Sequence, residues 1–189
     1  MTLVLHICTG LGLALAAGIR PFTPAWLAGA LAGSNVLFDF RGTSYAFLQS
    51  GVFLVVVGVI FVASAILRRR ELNDLITGAT LALGGLLFGA ILASHHDAAW
   101  PGLIAGVAAA GLAQYASRPV LAGASERVGD DGAARFAVTL YGDGAALVLA
   151  AACWFAGPLS LVALAFFARL AWVQRARGST RFRGLRVLR

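Results

Sequence analysis

The chain contains no lysine: its 15 basic residues are all arginine, and charged residues make up 12% of 189 positions. A soluble domain carries about 25% charged residues, so a surface of ordinary water-facing composition is excluded. Cysteine is nearly absent too. Cys8 and Cys153 are the whole complement, and both lie inside apolar runs, which excludes a disulfide framework and a thiolate metal site. No His-Glu-x-x-His, phosphate-binding loop, dinucleotide fingerprint or Ser-His-Asp arrangement occurs. The expectation is therefore a protein that is not an enzyme and needs no metal or cofactor. The opening residues lack a basic n-region and an Ala-x-Ala site, so the first apolar segment reads as a retained span rather than a cleaved signal.

Hydrophobic residues, by contrast, reach 60%, with a mean hydropathy of +0.85. A chain this size has too little interior to hide that much apolar surface from water. The composition predicts an all-α, polytopic helical membrane protein of about six spans. Residues 3–19 form a first, short apolar segment, ended by Arg20-Pro21 because proline disfavours helix in the residue before it. Residues 22–33 are too short to cross a bilayer, which takes about 20 residues. Spans follow at 51–67, 75–94 and 101–116. The block 145–173 is longer than one crossing needs, and Gly157-Pro158 near its middle predicts a turn between two spans, with one long tilted helix as the alternative. Residues 34–50 and 120–141 are mixed and belong at a surface.

The arginines set an orientation. With the N-terminus inside, Arg68 to Arg70, the 118–135 region and the tail from Arg169 all fall on the cytoplasmic side, and Arg20 and Arg41 outside. The expected location is a cell inner membrane, multi-pass, with both termini cytoplasmic. A net charge of +7 in a soluble protein would suggest nucleic acid. Here the arginines flank apolar segments, so no nucleic-acid partner is expected.

The two halves read alike. Ala17-Gly18-Ile19-Arg20-Pro21 and Tyr115-Ala116-Ser117-Arg118-Pro119 each end an Ala/Gly/Leu segment, and each is followed by a short segment and a polar stretch. Gly51 and Gly144 then open the next spans. This predicts an inverted repeat, with residues 1–97 as a first three-span half, 98–174 as a second and 175–189 as a basic tail. Residues 22–33 and 120–129 would be re-entrant segments.

The opening Gly12-Leu13-Ala14-Leu15-Ala16-Ala17-Gly18-Ile19-Arg20-Pro21-Phe22-Thr23-Pro24, with Asp39-Phe40-Arg41-Gly42-Thr43, resembles an uncharacterised bacterial integral-membrane family, a domain of unknown function. The resemblance implies a small multi-span protein and supplies no substrate or catalytic residue.

Arg20 and Arg118 are the leading site candidates. Backbone groups freed at an Arg-Pro break need protein or a water-filled cavity around them, and a guanidinium there is a planar fork for phosphate or carboxylate. The alternative is that each arginine snorkels to lipid head groups. Asp39 and Asp143 are carboxylates to balance them: Asp143 against Arg118 or Arg135, and Asp39 against Arg20 or Arg41, unless each aspartate caps a helix. His95-His96-Asp97 reads as a polar turn. Glycine pairs 29/33, 85/89 and 102/106 give close-packing helix faces, which serve one chain or a homodimer. Membrane lipids are the expected partners. The leading functional expectation is a small transporter or flippase for an anionic solute or phosphate-bearing lipid head group. The runner-up is a membrane scaffold.

Overall fold

The computed structural model describes residues 3–66, 72–128 and 132–181. Among these residues the fold is all-helical, with no strand. The elements are α1 (Leu3–Ile19), α2 (Phe22–Gly33), a 3-10 turn (Ala46–Gln49), α3 (Gly51–Ile66), α4 (Leu72–Ala93), α5 (Ala99–Arg127), α6 (Gly132–Phe155) and α7 (Leu159–Arg181). Arg68 to Arg70, Asp130, Asp131, the tail beyond residue 181 and the side chain of Arg135 lie outside the described residues.

α1 is the axis of the bundle. It packs against α2, α4, α5, α6 and α7, and 11 of its 17 residues are buried. A helix apolar on every side is one that neighbours surround. Its alanines and glycines let those neighbours come close. An added Cβ at Gly18 would lie 2.5 Å from the Ala110 carbonyl oxygen of α5. Because α1 touches α5, α6 and α7 as well as α4, the division at 97/98 runs through continuous packing.

α4 and α5 form the most extensive helix pair. Gly84, Gly85 and Gly89 of α4 face Gly102 and Gly106 of α5. An added Cβ at Gly106 would come within 2.9 Å of Gly85 Cα, and one at Gly102 within 3.1 Å of Gly89 Cα. The two small-residue faces seen in the sequence thus meet each other within the chain.

The outside of the bundle is apolar. Val55, Val59 and Val62 of α3, Val148 of α6, and Val162, Phe166 and Trp172 of α7 are all exposed. Of the apolar stretch of α7, 17% is buried, so most of its hydrophobic surface points outward. Exposed apolar surface on this scale is compatible with a membrane protein.

Among the described residues three helices are long and apolar enough to cross a membrane: Ile76–Ala93 of α4, Gly132–Phe155 and Leu159–Ala176. α1 and the described apolar part of α3, Gly51–Ala63, are shorter, so three of the six expected spans meet the length and composition of a crossing. The turn at Gly157-Pro158 does separate two helices, as the sequence predicts.

Two expectations are corrected. The Arg118-Pro119 element is no break: α5 runs through it with Pro119 inside the helix. Arg20-Pro21 does break the chain, because Pro24 follows. The Pro24 ring would clash with the residue 20 carbonyl in a continuous helix, and Pro119 has no such successor. Pro119 removes the amide that would serve the Tyr115 carbonyl. One residue on, the Gln174 side chain of α7 donates to the Ala116 carbonyl at 2.7 Å. Residues 120–127 therefore continue α5 and are not a separate re-entrant segment. The second correction concerns residues 132–144. They are the first half of α6, so Gly144 lies inside a helix whereas Gly51 opens one. The features that made the halves look alike do not occupy equivalent places.

Candidate functional site

Arg20 sits in the gap between α1 and α2. Its amide closes the last turn of α1 on the Ala16 carbonyl at 3.2 Å, and its side chain crosses to α6. There Arg20 Nε lies 3.6 Å from Asp143 Oδ1, with side-chain exposures of 34% and 11%. Gly142 makes room for this, since an added Cβ would stand 3.2 Å from Arg20 Nε. A separation of 3.6 Å holds an ion pair but is too long for a hydrogen bond. Arg20 Nε is accordingly buried without a hydrogen-bond partner, and so is the Thr23 hydroxyl. Asp143 is the twelfth of 24 residues in α6, so it neither caps a helix nor precedes a span. A carboxylate that far into an apolar helix is costly unless paired, and Arg20 is the pair.

Asp39, Arg41 and Arg118 do not join this site. Asp39 accepts from the Arg41 amide at 2.9 Å, and its Oδ1 lies 4.0 Å from Arg41 Nε. Both are exposed in the α2–α3 loop and form a local turn. Arg118 turns to α4, where its guanidinium donates to the Thr77 hydroxyl on the exposed surface. Asp143 thus pairs with Arg20, across the two halves of the chain, while Arg118 turns elsewhere; the expected pairing with Arg135 falls on a side chain outside the described residues.

A second polar cluster, missed in the sequence, lies at the other end of α1. The His6 ring stacks on His95 with centroids 3.5 Å apart and 5° between planes. Asp97 Oδ2 is 3.8 Å from His6 Nδ1. Phe38 sets its edge against both imidazoles, at 6.3 and 5.5 Å, and against Trp154 at 5.0 Å. Trp154 Nε1 in turn donates to the Val36 carbonyl at 3.2 Å. To reach this position the loop takes left-handed backbone at Asn35 and Leu37, φ 57° and 68°. A leucine there costs roughly 1–2 kcal/mol, offset by burying Phe38 and Phe40. Parallel stacked imidazoles aim their nitrogens side by side, not at one point. Among the described residues no group of three or more His, Cys, Asp or Glu is placed to hold a metal ion. Sequence spacing gave no signal, because His6 and His95 meet only once α1 and α4 pack.

Burial holds the His95 imidazole below its ordinary value of 6.5, and His6 adds to this while Asp97 opposes it. The unfolded chain therefore binds the proton more readily than the folded one, so this group's contribution is intact above pH 6.5 and declines as pH falls below it. The melting temperature in detergent is expected to drop by a few degrees between pH 7.5 and 5.5, and less so in His95→Gln. Identical pH profiles for the two proteins would contradict this.

No curated protein and no solved structure matches the chain. Residues 7–177 match the family described as a domain of unknown function, DUF4126, and the chain belongs to that family.

Proposed function

We propose that this protein is a small carrier or flippase of a bacterial inner membrane, with both termini cytoplasmic, that moves a phosphate-bearing head group past the Arg20–Asp143 pair. The observation that carries the reading is the position of that pair. Asp143 stands at the middle of a 24-residue apolar helix, roughly 17 Å from either end at about 1.5 Å per residue. Ionisable residues at such depth mark substrate or ion pathways. Carriers place their sites where a helix is broken near the midplane, and the α1–α2 break supplies that element. Arg20 keeps unused hydrogen-bonding capacity toward an incoming oxygen. Asp143 supplies the counter-charge when the site is empty.

Reconstitution in liposomes tests this. Arg20→Ala is expected to lower movement of a fluorescent phospholipid, or of a trapped anion, at least tenfold while the protein stays folded. Arg118→Ala, on the α4-facing surface, is expected to retain it. Equal flux in wild type and Arg20→Ala refutes the carrier.

A further inference from the structure

The site has an apolar annexe. α2 packs against both α3 and α6, and between those two helices it floors a crevice of about 260 Å³ lined by Phe22, Thr23, Trp26, Val57, Phe61 and Leu147. Through Trp26, Gly58 and Val62 this crevice opens into a wider groove of about 870 Å³ along α2 and α3. The floor helix α2 and the α6 wall have their charges, Arg20 and Asp143, at the same end. Thr23 follows Arg20 by three residues, and Leu147 lies one helical turn beyond Asp143 on the same face. The crevice therefore starts about one turn from the ion pair. At that junction the Thr23 hydroxyl is buried and unpartnered.

A free anion would use none of this apolar surface, whereas an acyl chain would fill it and gain about 0.8 kcal/mol per buried CH₂. The polar end presents one cation and one anion, 3.6 Å apart and not hydrogen-bonded to each other. That pair has no net charge. It complements a head group bearing both a phosphate and an ammonium, with phosphate oxygens taking the Arg20 guanidinium and Thr23 hydroxyl and the ammonium taking Asp143. We infer that the crevice between α2, α3 and α6 holds one acyl chain of a zwitterionic phospholipid whose head group lies on Arg20 and Asp143. This rests on the reading of that pair as a head-group site and specifies its ligand as an amphiphile.

Gly58 gives the test. It faces the crevice, and a Cβ there would meet nothing within 4 Å. Gly58→Phe fills the space without touching either charge, and Val62→Trp does so from a neighbouring position. Lipid binding to the full-length protein in detergent is read by native mass spectrometry. Three probes are used: phosphatidylethanolamine, phosphatidylglycerol and chainless glycerophosphoethanolamine. Wild type is expected to retain one phosphatidylethanolamine, to bind phosphatidylglycerol more weakly, and to bind the chainless probe at least tenfold more weakly. Both variants are expected to weaken phosphatidylethanolamine at least tenfold and to leave the chainless probe unchanged. Undiminished lipid binding in a folded variant overturns the crevice. Phosphatidylglycerol bound as tightly as phosphatidylethanolamine overturns the zwitterionic assignment. Lipid binding that responds to Gly58→Phe without any flux in liposomes removes the carrier but leaves the lipid site. Flux that ignores Gly58→Phe removes the lipid site but leaves the carrier.

Discussion

Asp143→Asn is expected to lower the unfolding free energy in mixed micelles by about 2 kcal/mol. Breaking a fully buried ion pair from one side costs about 3–5 kcal/mol, because the abandoned charge stays desolvated. Arg20 is 34% exposed on its side chain, so water and lipid phosphate relieve part of that penalty and the smaller figure applies. The loss should not be additive. Arg20→Gln alone strands the Asp143 carboxylate, whose side chain is 11% exposed, while the double variant strands neither group. The coupling in a double-mutant cycle is expected to be about 1–2 kcal/mol, within the usual range for residues in contact. Additive losses would mean that the two side chains do not interact.

Gly106→Leu is expected to do more damage than any surface change. The glycine sits in the close seam between α4 and α5, with the Gly85 Cα only 2.9 Å from where its Cβ would be. What stands in the way is backbone, which cannot swing aside as a side-chain tip can. The helices must separate, and the contacts of Gly84, Gly85, Gly89 and Gly102 go with them. Overpacking a well-filled core costs about 1–3 kcal/mol, and a shift along a whole helix pair places this variant at or above the upper end. Gly123→Ala is the contrast. It lies in the same helix with open space around it, so helix propensity alone applies and a gain of about 0.5–1 kcal/mol is expected. Thermal unfolding of the two variants beside wild type checks both signs. A Gly106→Leu protein that melts like wild type would contradict the close seam.

Much of the helical framework is legible in the sequence because local chemistry decides it. The ends of α1 and α2 follow from Arg20-Pro21 and from the apolar runs on either side. The separation of α6 from α7 follows from Gly157-Pro158. Where the sequence misleads, the deciding interaction is long-range. Pro119 is a local exception: it reads as a stop, yet no second proline follows three residues on, as Pro24 follows Pro21, and α5 runs through it. Residues 120–141 read as a surface stretch because Glu126, Arg127, Asp130, Asp131 and Arg135 interrupt the apolar pattern, and Asp143 reads as preceding a span. Asp143 is tolerated inside a helix because Arg20 arrives from another part of the chain. The same blindness hid the pairing itself, since sequence proximity suggested Arg118 or Arg135 as its partner. The His6–His95 stack was invisible for a related reason: each histidine alone is an unremarkable polar residue at a helix end, and only the packing of α4 on α1 brings them together.

A membrane-embedded bundle has an exterior, not merely a core, that is apolar and meets hydrocarbon. Spin labels at positions 148, 162 and 166 report this directly, because these residues are exposed and are not among those lining the crevice. In lipid nanodiscs the labels should collide freely with oxygen and hardly at all with a water-soluble nickel chelate. Strong relaxation by the chelate at all three positions would put water against α6 and α7, and the membrane-embedded account would be wrong.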